Sequence, residues 1–125
     1  MAERPKLLIV DDDFFVRRLL ALHLRKLNYE IFEAGTGEEA MNLLEGHTFD
    51  VALLDLILPY YGGFTLCQKM KEKGSPAPYV MIITGEDSEE TKATAMECGA
   101  DEFLRKPFSA DDVVQRIELL ASSRR

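Results

Sequence analysis

The sequence is poor in several features that would define other protein classes. Its longest uninterrupted apolar run has five residues, Tyr79 to Ile83, far short of the roughly 20 that a membrane helix needs. No basic segment followed by an apolar one opens the chain, so we expect no secretory signal. The two cysteines, Cys67 and Cys98, have neither a close partner in sequence nor metal-type spacing. They indicate reduced, buried thiols in a cytoplasmic protein.

An excess of basic charge is also missing. The 125 residues carry 15 Lys and Arg against 22 Asp and Glu, a formal net charge of −7. Such a chain repels phosphate backbones, so we expect no direct binding to nucleic acid. The 46% apolar and 30% charged fractions are typical of a globular protein, which excludes a disordered or fibrous chain. The length supports one hydrophobic core and therefore one domain.

What the sequence does contain is a regular alternation of short apolar runs with amphipathic segments. The predicted strands are Lys6–Val10, Tyr29–Glu33, Val51–Leu56, Tyr79–Thr84 and Glu102–Arg105. Three of them are nearly continuous in apolar residues, as strands covered on both faces should be. The second strand alternates with acidic residues and is predicted to lie at an edge.

Five helices are predicted between and after these strands. The apolar stripe of the first helix consists of Val16, Leu19, Leu20, Leu24 and Leu27. The second helix begins at Thr36, which has capping-box spacing to Glu39, and ends at Gly46. The third runs from about Gly63 to Lys73, the fourth from Ser88 to Cys98, and the fifth begins at Ser109. Strict alternation of this kind predicts a doubly wound α/β fold, with a five-stranded parallel sheet and helices on both faces.

Chemically active side chains stand at the ends of the predicted strands. The first strand ends in three consecutive acids, Asp11 to Asp13, and the third ends near Asp55. Thr84 ends the fourth strand, and Lys106 follows the fifth. Ligands of such sheets bind outside the carboxyl ends of the strands, where the strand order reverses.

Clustered carboxylates repel one another unless a cation lies between them, and a hard divalent cation such as Mg²⁺ prefers oxygen ligands. A hydroxyl and a lysine facing that cation could hold the oxygens of a phosphoryl group. A central Asp55 could itself attack phosphorus. For Asp13 alone, we prefer the interpretation that it only caps the first helix.

Four segments at these strand ends resemble the receiver domain of bacterial two-component response regulators. They are Leu8 to Asp13, Asp55 to Pro59 with Gly63, Ile83 to Gly85, and Phe103 to Phe108. The resemblance extends from about Lys6 to Leu120. It implies a flavodoxin-like sheet with strand order 2-1-3-4-5. It also implies a single domain over residues 1–125, with a core of about 6–120 and residues 121–125 starting a linker or C-terminal tail.

The resemblance assigns roles residue by residue. Asp55 matches the phosphoacceptor. Asp11, Asp12, Asp55 and the backbone carbonyl of Ile57 match the ligands of Mg²⁺, for which Mn²⁺ can substitute. Thr84 matches the switch hydroxyl and Lys106 the lysine that pairs with the phosphoryl group. The remaining matches are Phe103, the aromatic partner of the switch, and Lys106-Pro107, which resembles a cis peptide bond.

The resemblance implies phosphorelay signalling in the cytoplasm rather than turnover of a separate substrate. The phosphoryl donor would be a sensor histidine kinase or a histidine phosphotransfer protein. An output domain in a longer chain, a separate effector, or a second copy after phosphorylation would receive the signal. Phe15, Leu19 and Leu22 are candidate docking residues for the donor, although simple packing explains them equally well.

Two alternative functions are open from the sequence. One is a Mg²⁺-dependent phosphatase with an aspartyl nucleophile, although such enzymes usually have a second Asp two residues later, where this chain has Ile57. The other is a degenerate receiver that acts only as an interaction module. The five matching site residues argue against the second alternative.

Overall fold

The structure is a computed structural model that describes residues 4–56, 62–72, 77–85, 88–106 and 108–123. Within these residues, five strands alternate with five helices. The strands are β1 (Lys6–Val10), β2 (Glu30–Ala34), β3 (Val51–Asp55), β4 (Tyr79–Thr84) and β5 (Glu102–Arg105). The helices are α1 (Phe14–Leu24), α2 (Gly37–Gly46), α3 (Gly63–Glu72), α4 (Glu89–Glu97) and α5 (Ala110–Ser123). None of the described helices is both long and apolar enough to span a bilayer.

All strand pairings are parallel, and the sheet has the order β2-β1-β3-β4-β5. This confirms the predicted fold, including the edge position of β2. The chain moves outward from β1 to β2, then crosses back to β3 and continues in the other direction. The strand order therefore reverses between β1 and β3, and a crevice opens at the carboxyl ends of those two strands.

The sheet has two buried faces because successive side chains of a strand point to opposite sides. Leu7 and Ile9 of β1 belong to an apolar cluster that includes residues of α1 and α5. Leu8 and Val10 belong to a second cluster that includes residues of α2, α3 and α4. Each face is covered by helices, which explains why the central strands are apolar almost throughout.

The element boundaries depart from the sequence prediction at two strands and at the end of α1, and α2, α4 and α5 each begin one residue after the predicted Thr36, Ser88 and Ser109. β2 lies one residue later than expected, and β3 ends at Asp55 rather than Leu56. α1 ends at Leu24 rather than near Leu27, because the chain turns there through a hydrogen bond from the Leu27 amide to the Leu24 carbonyl. Leu19 was wrongly placed in the core stripe of this helix, since half of it is exposed.

The predicted cap and end of α2 and the predicted stop at Gly99 are confirmed. Thr36 Oγ1 accepts the amide of Glu39 at 3.1 Å, as a capping box requires. The glutamate oxygen accepts the amide of Gly35, not that of Thr36. α2 ends at Gly46 as predicted, and Gly99 follows α4 with a positive φ of 96° that favours glycine.

Gly63, the first residue of α3, packs against the strand end that carries Asp55. A Cβ atom at this position would lie 2.5 Å from Leu56 Cα and 2.6 Å from the Asp55 carbonyl oxygen. Both contacts are with backbone, which cannot move aside without displacing the end of β3. The absence of a side chain at Gly63 therefore allows the first turn of α3 to pack directly against the end of β3.

We predict that Gly63→Ala lowers the free energy of unfolding by about 1–3 kcal/mol, the usual cost of overpacking. Urea denaturation followed by circular dichroism measures this change. Gly46→Ala is the matched control, because a Cβ there meets nothing within 4 Å. Equal stability of the two variants would contradict the close packing described for Gly63.

Candidate functional site

Four of the predicted site residues meet at the carboxyl edge of the sheet. Asp11 directly follows β1, Asp55 and Thr84 end β3 and β4, and Lys106 directly follows β5. Asp11, Asp55 and Thr84 are buried, with 3%, 7% and 0% of their surface exposed. Charged side chains are rarely buried without partners, so two buried carboxylates at this edge indicate a functional site.

The ammonium group of Lys106 links two of the carboxylates. Its Nζ lies 3.3 Å from Asp11 Oδ2 and 3.1 Å from Asp55 Oδ2. The backbone amide of Lys106 donates to the Thr84 carbonyl at 2.8 Å, which ties the lysine to the end of β4. Burial would lower the pKa of Lys106, but the carboxylates of Asp55 and Asp11 outweigh it and raise that pKa. The lysine therefore remains fully charged at neutral pH.

The surroundings of Asp11, in contrast to those of Lys106, disfavour its charged form. Burial is the main cause that raises its pKa, and the nearby charge of Asp55 raises it further. The amide of Asp13, which donates to Asp11 Oδ1 at 2.9 Å, and the Lys106 ammonium only partly oppose this rise. The pocket thus holds more negative charge than its own cation balances.

The chemistry of the donors fits a hard divalent cation. Asp11, Asp12 and Asp55 each offer a carboxylate oxygen, and these oxygens all lie within 4.8 Å of one another. Two of the residues are buried, whereas Asp12 is exposed, so the cluster opens to solvent. Carboxylate oxygens with access to water are the ligands that Mg²⁺ and Ca²⁺ prefer.

Asp13 has the structural role predicted for it. Its side chain accepts the amides of Phe15 at 3.0 Å and Val16 at 3.2 Å, so it is the N-cap of α1. The consecutive acids are therefore divided in function, because Asp11 and Asp12 belong to the cluster while Asp13 starts the helix.

The predicted switch pair occupies neighbouring strands. Thr84 ends β4 and pairs in register with Arg105 of β5, and Phe103 lies two residues before Arg105. Phe103 is half-buried and packs against the cluster on the face covered by α2, α3 and α4. Two predicted features, the carbonyl of Ile57 and the peptide bond between Lys106 and Pro107, lie outside the described residues.

The candidate docking residues are on the surface of α1, as expected for Phe15 and Leu22. The exposed fractions are 81% for Phe15, 61% for Leu22 and 50% for Leu19. Phe14 was missed by the sequence analysis. It is 56% exposed and contacts Phe15 edge to face, with ring centroids 6.0 Å apart. The signal that could have identified it is its position beside Phe15 at the start of the helix.

Two further contacts were not predicted. Arg17 reaches the backbone of Asp11, with Nη1 at 2.8 Å from the carbonyl oxygen. The sequence analysis also missed that the two cysteines are neighbours in space, since Cys67 Sγ donates to the Cys98 carbonyl at 3.5 Å. Both thiols are free and buried, as predicted, and burial raises the pKa of Cys67 to about 11. Such a thiol is unreactive at neutral pH.

Comparison with known proteins gives a consistent family. A family model described as the response regulator receiver domain matches residues 7–118. The chain is 37% identical over 113 residues to the regulatory protein VanR of Enterococcus faecium. This match covers 90% of this chain and 48% of VanR. It is 36% identical over 115 residues to the transcriptional regulatory protein ResD of Bacillus subtilis, covering 92% of this chain and 47% of ResD.

A solved structure agrees in fold. The CheY-like response regulator receiver domain protein from Methanospirillum hungatei matches with a TM-score of 0.89 at 28% identity. That match covers 97% of this chain and 96% of the other. The chain spans about half the length of the curated relatives that it matches. Fold, acidic pocket and sequence therefore lead to one conclusion: the chain belongs to the response regulator receiver family and is a signalling domain of two-component systems.

Proposed function

We propose that Asp55 is the phosphoacceptor of this receiver domain. The observation that carries the proposal is its buried carboxylate, which belongs to the acidic cluster and has an oxygen 3.1 Å from Lys106 Nζ. In the transfer, a carboxylate oxygen of Asp55 forms a bond to phosphorus while the bond from phosphorus to the donor imidazole breaks. Phosphoryl transfer depends mainly on placement and charge neutralisation, and Lys106 supplies one of the positive charges.

Asp11, Asp12 and Asp55 would hold Mg²⁺, with the backbone carbonyl of Ile57 as a further ligand. Support comes from the three carboxylate oxygens within 4.8 Å of one another and from the raised pKa of Asp11, whose main cause is burial. Bound Mg²⁺ would neutralise charge on the carboxylates and on the phosphoryl oxygens. Mn²⁺, which also accepts carboxylate oxygens, would substitute for it.

The donor would be a histidine kinase or a histidine phosphotransfer protein that docks on α1. Phe15, Leu19 and Leu22 form an exposed apolar surface on the helix that begins directly after the acidic cluster. An exposed apolar surface of this kind is typical of an interaction site. A donor bound there would bring its phosphohistidine close to Asp55.

Thr84 and Phe103 would transmit the phosphorylated state. The new group adds about −1.5 to −2 charge units beside the end of β4, where the hydroxyl of Thr84 is buried. Movement of Thr84 toward that charge would leave space for Phe103, which is half-buried on the adjacent strand. The surface formed by α4 and β5 would then differ between the two states.

The chain would act in the cytoplasm as a single domain over residues 1–125 and would turn over no separate substrate. Its relatives are described as regulatory and transcriptional regulatory proteins about twice as long as this chain. An output domain in a longer chain, or a separate effector, would therefore read the switch. A dimer formed on phosphorylation would be a further readout.

Incubation with Mg²⁺ and a small phosphodonor such as acetyl phosphate should add the mass of one phosphoryl group. Intact mass spectrometry measures the product, and Asp55→Asn should abolish it because the nucleophile is lost. Asp13→Asn is the matched control, since Asp13 caps α1 and takes no part in the cluster. Equal phosphorylation of the Asp55 variant would refute the assignment, and steady hydrolysis of unrelated phosphomonoesters would favour a phosphatase.

Phe15→Ala should slow transfer from a histidine kinase that phosphorylates the wild type by about tenfold, as expected for truncating a central interface residue. Labelling by acetyl phosphate should not change, because that donor needs no docking surface. Leu119→Ala is the control, since Leu119 is 70% exposed on α5. A parallel loss with both donors would show that the variant disturbs the site and would contradict docking.

Asp11→Asn should stabilise the metal-free protein, and its advantage should grow as the pH rises. The pKa of Asp11 is raised above its ordinary value of 3.8, mainly by burial. Below pH 3.8 the carboxyl is mostly protonated in both the folded and unfolded states, so the substitution changes the free energy of unfolding little. Above 3.8 the unfolded wild type ionises more readily than the folded one, and folding loses stability until the folded pKa is passed.

Thermal unfolding of both proteins in chelator, from pH 3 to pH 8, measures this difference. Saturating Mg²⁺ should raise the melting temperature of the wild type more than that of the variant, since the variant lacks one ligand charge. An advantage that shrinks as the pH rises would contradict the unfavourable burial of Asp11.

A further inference from the structure

Arg17 of α1 is a largely buried cation that contacts the backbone of the acidic loop after β1. Its side chain is 15% exposed, against 51% for the neighbouring Arg18. Nη1 donates to the Asp11 carbonyl oxygen at 2.8 Å, and Nε donates to Glu33 Oε1 at 3.0 Å. One guanidinium group therefore connects α1, the loop after β1 and the end of β2.

The contact with the Asp11 carbonyl constrains both metal-ligand candidates of that loop. A peptide unit is planar, so the Asp11 carbonyl oxygen fixes the orientation of the link between Asp11 and Asp12. The Asp11 amide is held as well, since it donates to the Ala34 carbonyl at 3.1 Å. These two bonds hold the Asp11 backbone on both sides, and they fix the positions from which the Asp11 and Asp12 side chains project.

The surroundings of Arg17 are shaped to hold its guanidinium in place. Glu33 accepts Arg17 on one carboxylate oxygen and Arg18 on the other, at 3.0 and 2.9 Å. A Cβ atom at Gly35 would lie 3.0 Å from Arg17 Nη1, so the glycine leaves the space that the guanidinium fills. The planar guanidinium of Arg17 has donors at fixed angles, so it can bind Glu33 and the Asp11 carbonyl at the same time. A lysine cannot reproduce this double contact.

We propose that Arg17 is a positioning residue for the cation site: it holds the peptide between Asp11 and Asp12 so that their carboxylates converge with Asp55. The inference rests on the proposed Mg²⁺ site. It deepens that site by assigning its affinity in part to a residue that offers the metal no ligand. Supporting groups of this kind typically change metal affinity by about 10- to 100-fold when they are removed.

Electrostatics and positioning predict opposite signs for the loss of this arginine. A positive charge close to a cation site weakens cation binding, so its removal alone would tighten Mg²⁺ binding. Loss of the carbonyl contact would instead loosen the ligand arrangement and weaken binding. Arg18 separates the two effects, because it contacts Glu33 and Phe14 as Arg17 does, but within the described residues only Arg17 of the two donates to the Asp11 carbonyl.

Calorimetric titration of the unphosphorylated domain with MgCl₂ tests the inference without any activity assay. We expect Arg17→Ala to weaken Mg²⁺ binding by about tenfold or more. Arg18→Ala, which makes the same change in charge, should leave the affinity unchanged or slightly tighter. Arg17→Lys keeps the charge but not the double contact, so it should weaken Mg²⁺ binding as Arg17→Ala does.

Thermal unfolding in chelator identifies loss of fold, and all titrations are run where each variant is fully folded. Should Arg17→Ala prove too unstable, Arg17→Lys carries the test. Mg²⁺ binding by either Arg17 variant as tight as that of Arg18→Ala would overturn the positioning role. Absence of Mg²⁺ binding by the wild type would instead refute the proposed metal site, and the inference with it.

Discussion

The contact of one ammonium group with two buried carboxylates organises the functional edge of this domain. Lys106 lies within 3.3 Å of both Asp11 and Asp55, and each of the three residues comes from a different strand end. With Asp12 the cluster has three carboxylates against one ammonium, which leaves two negative charges. One divalent cation would neutralise that remainder, so the charge count by itself favours a divalent over a monovalent cation.

The fold produces this arrangement through topology rather than through any local motif. Because all five strands are parallel, every strand delivers its carboxyl end to the same edge. The reversal of strand order between β1 and β3 then leaves a crevice where Asp11 and Asp55 meet. Gly63 packs against the end of β3, and its backbone lies too near Asp55 and Leu56 for a side chain to fit.

Much of the fold was predictable because each element carries its own pattern of burial. The central strands are covered on both faces and are apolar almost throughout, which identifies them without knowledge of their partners. β2 was placed one residue too early because both Tyr29 and Ala34 are compatible with a strand end. Pairing decides the boundary, since Lys6 lies opposite Glu30 and Val10 opposite Ala34.

The site was predictable to the extent that its residues end strands. Asp11, Asp55, Thr84 and Lys106 are brought together by topology, so their order in the sequence was sufficient. Arg17 could not be recognised in the same way. Its role depends on the direction of the Asp11 carbonyl and on the space at Gly35, and neither is visible in a helical pattern.

The two sides of α1 have different surroundings. Leu20 and Leu24 are buried in the core, and Arg17 reaches inward to the acidic loop, whereas Phe15 and Leu22 lie on the surface. Substitutions on the outer side can therefore alter the surface without disturbing the pocket or the core. Under the docking proposed for this surface, partner choice would be free to diverge between gene copies while the chemistry stays unchanged, and protein engineers would have a short set of positions for rewiring a signalling pathway.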